Sequence, residues 1–131
     1  MTISIGKESD KRIRINPITL DMELVRYSTG VIPLRPKIKG TEDYLLTDGA
    51  TLYFTLRKTK DTPILLEKHV TDFDDGWGVI TIESSDTEDI VPDTYVCDLV
   101  VIRSDGTRDV LIPEGRDSLY FVVKKGVKQG Q

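Results

Sequence analysis

The 131 residues include one cysteine, one histidine and one tryptophan, and each scarcity narrows what the chain can do. With Cys97 alone, no disulfide can form within the chain. Cys97 sits in the middle of an apolar alternation and reads as a small buried hydrophobe, because a reactive thiol needs an exposed electropositive setting. That usage fits folding in a reducing cytoplasm. With His69 alone and no serine in a nucleophile turn, covalent acyl chemistry has no set of residues to work with, and glycine-rich phosphate loops are absent too. Nowhere do about eighteen apolar residues follow one another, and the opening MTISIGKESDKR has no apolar run of signal-peptide length. A soluble protein is therefore expected, neither spanning a membrane nor exported by the usual signal. A basic excess is also missing. The 22 acidic and 18 basic side chains leave a net charge of -4, spread without a basic face, so nucleic acid is not an expected partner. Lys124, Lys125 and Lys128, in KKGVKQGQ, read as a solvated end and not as a phosphate clamp.

What the chain does contain is short-period alternation. Ile13 and Ile15 oppose Arg12 and Arg14, and beyond Pro17 the residues Ile18, Leu20, Met22 and Leu24 alternate with polar ones. Val31 to Lys39 carries Pro33 and Pro36, which cannot donate to a ladder, so an edge strand or an extended connector is expected there. After the polar link 40–49, TLYFTLRK sets Leu52, Phe54 and Leu56 against Tyr53, Thr55 and Arg57. Ile64 to Val70 returns as a strand, and an acidic loop, 71–75, leads to Trp77. The stretch from Trp77 to Asp105 organises the rest: a strand, an Asp-Thr link with a single helical or 3₁₀ turn near 85–90, and a longer strand with apolar residues on both faces. Asp105-Gly106 predicts a two-residue hairpin to a strand over 108–112, and LYFVVK, 119–124, closes the series. About eight to ten short strands without an amphipathic helix of ten residues predict an all-β, antiparallel, two-sheet immunoglobulin-like sandwich, in preference to a small barrel. The length predicts one domain over 1–131, able to bury roughly two-thirds of its unfolded surface. Residues 1–10 and 126–131 are expected to be loose, although Ile3 and Ile5 allow a short strand. Residues 11–40 supply either the first strands or an arm that pairs with a neighbour.

The site readings each face a structural alternative. His69, Asp72, Asp74, Asp75 and Glu83 form the best metal candidate, and Asp72, Asp74 and Glu83 occupy the first, third and twelfth places of a calcium loop. The match fails at Gly76 and Trp77, so an acidic hairpin loop is preferred and no metal or cofactor is expected. Most carboxylates fall in turns, where solvation keeps them ordinary, which leaves a small hydrolase without a convincing pair. Trp77, between Gly76 and Gly78, is a candidate platform for stacking a cell-surface glycan; the structural reading is that it opens a strand and covers the end of the core. Tyr95, three residues after Pro92, has the setting of a tyrosine corner, a structural role.

Taken together, YLLTDGATLYFTLRK (44–58), LLEKHV (65–70), GVITIESSDTEDIVPDTYVCDLVVIRSDG (78–106) and LYFVVKKGV (119–127) resemble small β-sandwich proteins of tailed bacteriophages and prophages. Within that group the segments are similar to the N-terminal domains of baseplate upper proteins. Asp86-Thr87, Pro92-Asp93-Thr94-Tyr95, Asp98 and Asp105-Gly106 take the places of that family's Asp-Thr link, Pro-Gly-x-Tyr segment, central-strand Asp and terminal hairpin. Asp48-Gly49 inverts the usual Gly-Asp, Asp93 replaces a Gly, and Cys97 stands where an aromatic residue is common. The resemblance covers about two-thirds of the chain, from Tyr44 onward. It implies a non-enzymatic virion structural part of a tail or baseplate, present in many copies and made in the bacterial cytoplasm. Its partners would be other tail or baseplate proteins and further copies of itself, engaged through sheet edges and loops.

Overall fold

The alternating segments of the sequence become strands whose apolar sides face one another across two sheets. The computed structural model describes residues 2–5, 13–15, 19–37, 45, 48–113 and 115–127. Among these, the strands are β1 (Thr2–Ile5), β2 (Ile13–Ile15), β3 (Met22–Val25), β4 (Gly30–Lys37), β5 (Thr51–Arg57), β6 (Ile64–Val70), β7 (Gly78–Ile82), β8 (Asp93–Ile102), β9 (Arg108–Val110) and β10 (Leu119–Lys124). The smaller sheet has the order β1-β4-β7. The larger runs β2-β3-β10-β8-β5-β6, with β9 also on β8. Neighbours are antiparallel except β3 and β10, which run parallel. Those two strands lie near opposite ends of the chain, so no tight turn dictates their relative direction.

β8 is the spine of the larger sheet. β5 runs along one side of it over 96–102, while β10 takes 93–97 and β9 takes 100–102 on the other side. Strand periodicity then sends Tyr95, Cys97, Leu99 and Val101 inward, where they meet Leu52, Phe54 and Leu56 of β5 and Leu119, Phe121 and Val123 of β10 in one buried cluster. The smaller sheet contributes Ile32 and Leu34 from β4 and Ile80 and Ile82 from β7. Phe54 and Phe121 meet edge to face, with centroids 5.7 Å apart at 63°. On the other face of β8, Val100 is buried and Val96, Asp98 and Ile102 are half-buried, as befits an inner strand. The architecture is an all-β, two-sheet sandwich of immunoglobulin-like type, with one 3₁₀ turn at Ser84–Thr87.

Several expectations change in detail. The proline-bearing segment is the middle strand of the smaller sheet and not its edge. β7 pairs with residues 30–34 of β4 and β1 with 34–37, so each half has one paired flank, and Pro33 and Pro36 fall in different halves. Each proline can thus direct its donorless nitrogen to the uncovered flank. The Asp105-Gly106 hairpin is a three-residue connection. The Gly106 amide donates to the Arg103 carbonyl and the Arg103 amide to the Thr107 carbonyl, and only Gly106 has a positive φ, 89°. This is a type I turn closed by a left-handed glycine, with the Asp105 carboxylate accepting from the Thr107 amide at 2.8 Å. Residues 2–5, 13–15, 22–25 and 30–37 pair within the chain's own sheets. Tyr44, Leu46, residues 6–12 and Lys128 to Gln131 lie outside the described residues.

Two crossings between the sheets are tied at one point. The β3–β4 turn joins the larger sheet to the smaller, and the 84–92 link after β7 leads back. Thr87, 1 % exposed, sits between them. Its Oγ1 accepts from the Tyr27 amide at 2.9 Å, and its carbonyl accepts from Arg26 Nε at 3.1 Å. Arg26 also donates to the Glu88 carbonyl, and its own amide donates to the Lys124 carbonyl at 2.8 Å. Close by, the Tyr95 hydroxyl donates to the Val91 carbonyl four residues upstream, while the ring enters the core. That is the contact of a tyrosine corner. Thr87→Val keeps the shape and removes the acceptor from the partly buried Tyr27 amide. Its urea midpoint is expected to fall by an amount equivalent to about 1–3 kcal/mol with an unchanged m-value, and Thr87→Ser is expected to retain most of the stability.

Candidate functional site

The connection from β6 to β7 shapes a depression around several of the sequence's site candidates. Asp75 and Gly76 both have positive φ, 49° and 80°, the signature of a type I′ turn. Reciprocal backbone bonds close it, Asp74 N to Trp77 O at 3.0 Å and Trp77 N to Asp74 O at 2.9 Å. Gly78 has a different reason to be glycine. A Cβ there would lie 2.8 Å from the Phe73 ring and 3.2 Å from Leu52. The two glycines beside Trp77 therefore serve backbone conformation and close packing. The result is an open depression of about 470 Å³ lined by His69, Asp72, Phe73, Asp74, Trp77 and Val79, among others. Trp77 is half-buried, and Asp72 and Asp74 are exposed. The His69 ring leans on Tyr53 at 5.7 Å between centroids.

The structure separates the residues of the metal reading. Asp75 turns to Arg35, 3.3 Å away, and Glu83 stands beyond the far end of β7, its amide donating to Asp86 Oδ2 at 2.7 Å. Asp86 itself pairs with Lys68 at 2.8 Å. Among the described residues, no three His, Cys, Asp or Glu side chains come together as a metal site.

The carboxylates of the central strand face outward and have cations beside them. Asp98 Oδ2 lies 3.4 Å from Arg57 Nη1, in a smaller recess of about 170 Å³ shared with Tyr53, Glu67 and Arg108. Asp93 lies 2.7 Å from Lys58 Nζ, which also donates to the Thr94 carbonyl and sits 5.2 Å from the centre of the Tyr95 ring. The Lys58 hydrogen bond, helped by the Thr94 amide, holds the Asp93 carboxyl below its ordinary value of 3.8. Burial pushes the Cys97 thiol far above its ordinary value, with the Asp98 and Asp21 charges acting in the same direction. At the other end of the sequence's lysine-rich tail, Lys124 pairs with Glu23 across β3 and β10 at 3.0 Å.

A second surface is the outer strand β6. Among the described residues it pairs only with β5, and its first two side chains, Ile64 and Leu65, are 44 % and 49 % exposed. Sequence reasoning identified the strand but not this apolar edge. The signal lay in Ile64-Leu65-Leu66, three apolar residues that break the alternation beside a register shift at Leu56/Arg57. Phe73 was also missed, because a single aromatic in an acidic loop does not reveal that it packs on Gly78.

No family model and no curated protein matches the chain. Among solved structures, one described as murine CRIg is similar with a TM-score of 0.41 at 9 % identity, over 97 % of this chain and 100 % of that one. The sandwich assignment rests on the strand pairing itself.

Two consequences are measurable. Cys97 in the folded protein is expected to resist a disulfide reagent at pH 8 and to react stoichiometrically once the protein is denatured. The Asp93 carboxyl is expected to titrate below its ordinary value in a carbon-detected NMR titration, and Lys58→Met to move it back up. Because the folded value is the lower one, the pair's contribution to stability is present above the unfolded pKa of about 3.9 and is lost as pH falls through the folded value.

Proposed function

We propose that the protein is a non-enzymatic structural component of a phage or prophage tail or baseplate, acting through protein–protein assembly. The observation that carries this reading is the β6 edge: an outer strand that, among the described residues, pairs only with β5 and has an exposed Ile64-Leu65 pair at its start. Exposed apolar edges of this kind are ready to accept another strand, and monomeric proteins generally blunt them. β6 retains partial protection in the exposed Glu67, which favours a partner presenting a basic group over indiscriminate pairing. The resemblance of residues 44–127 to tail and baseplate sandwiches supplies the assembly in which such an edge would be used. The carboxylates paired to Arg57, Lys58 and Lys68 are consistent with structural roles, since each is held by a cation at the surface of the sandwich.

In this reading the protein folds in the bacterial cytoplasm and ends in the virion, beside other tail proteins and copies of itself. Mass spectrometry of purified tail particles from the source strain is expected to find it at a stoichiometry of several copies. Its absence from clean particles would overturn the assignment. Leu65→Lys is expected to abolish particle incorporation or self-association by analytical ultracentrifugation while leaving the circular dichroism spectrum unchanged, because position 65 is already half exposed.

A further inference from the structure

The depression between β6 and β7 has a composition that the assembly role does not use. Trp77 and Phe73 bring aromatic surface, Val70 and Val79 add aliphatic walls, and Asp72 and Asp74 stand exposed around it. Among the described residues, no lysine or arginine lines it. Its volume of about 470 Å³ has room for one sugar ring, held at an open surface and not enclosed. The floor is also prearranged. The Trp77 backbone is held by the two reciprocal bonds of the Asp74–Trp77 turn, and the Phe73 ring lies against Gly78. A site whose backbone is already in place has less to order on binding.

These features select the ligand class. Asp72 and Asp74 stand exposed at the rim while Arg35, the cation beside the 74–77 turn, is engaged by Asp75, so the lining disfavours anions. An organic cation would be held best by aromatic faces that enclose it on several sides, whereas this depression is open. A pyranose fits the arrangement: one face of the ring presents C–H groups to an indole, and its hydroxyls donate to carboxylates at the edge. We propose that the depression around Trp77 binds an uncharged or amino-bearing pyranose sugar, with Trp77 as the stacking surface and Asp72 and Asp74 as hydroxyl acceptors. The site takes in the far end of β6, at His69 and Val70, and not the exposed Ile64-Leu65 pair at its start, so it does not rest on the assembly reading.

The lone tryptophan makes the test direct. Titration with methyl glycosides of glucose, galactose, N-acetylglucosamine and glucosamine is expected to give a saturable change in Trp77 emission with at least one of them, at a Kd on the order of 1 mM. Saturation-transfer NMR of the same glycoside is expected to show strongest transfer on one ring face and to lose it in Trp77→Ala. Asp72→Ala, an exposed change that leaves the fold intact, is expected to weaken binding roughly fivefold or more. The proposal is overturned by no saturable response from any glycoside up to roughly 50 mM, by unchanged affinity in Asp72→Ala, or by tetramethylammonium or methyl glucuronide binding more tightly than every neutral or amino glycoside. Particle incorporation of Asp72→Ala, measured separately, is expected to equal that of the wild type, so failure of one proposal leaves the other standing.

Discussion

Thr87 is where the two sheets are held to each other by something other than apolar contact. Hydrophobic packing of Phe54, Phe121 and the aliphatic residues around them drives the layers together, but it is non-directional. The orientation of the crossings needs hydrogen bonds with fixed geometry. Thr87 supplies them with its hydroxyl and its carbonyl, receiving the Tyr27 amide and the Arg26 guanidinium from a turn some sixty residues earlier. Arg26 is at the same time anchored to Lys124 at the end of β10. Thr87, through its hydroxyl and carbonyl, and Arg26, through its own amide, therefore link the β3–β4 turn, the 84–92 link and the end of β10. The Tyr95 corner, a few residues further on, sets the angle at which β8 enters the larger sheet.

Both surfaces proposed to act lie at the margin of this frame. β6 is the outermost strand of the larger sheet, and β7 is an outer strand of the smaller one. The segment joining them cannot bury its backbone in either sheet, so it closes on itself in the Asp74–Trp77 turn. That closure holds an indole half out of the core. The proposed sugar site and the proposed assembly edge are thus adjacent products of one constraint, that among the described residues the last strands of two stacked sheets have neighbours on one side only.

The sequence by itself determined the layers. Period-two alternation in β5, β7, β8 and β10 specifies which side of each strand is buried, because a one-residue slip would turn every apolar side chain outward. The 3₁₀ turn, the Tyr95 setting and the interior character of β8 followed from the same local reasoning. Tertiary structure decided matters that depend on residues far apart in the chain. Pro33 and Pro36 marked an edge by local rules, yet β4 became a central strand because two partners divide its length. Gly76 and Gly78 looked alike beside Trp77, but one answers to a left-handed backbone and the other to the Phe73 ring. The apolar exposure of Ile64 and Leu65 likewise depends on the absence of a further strand beyond β6 among the described residues. Alternation is a property of neighbours in sequence and can be read there; pairing, closeness and exposure are properties of neighbours in space, and only the folded chain brings those together.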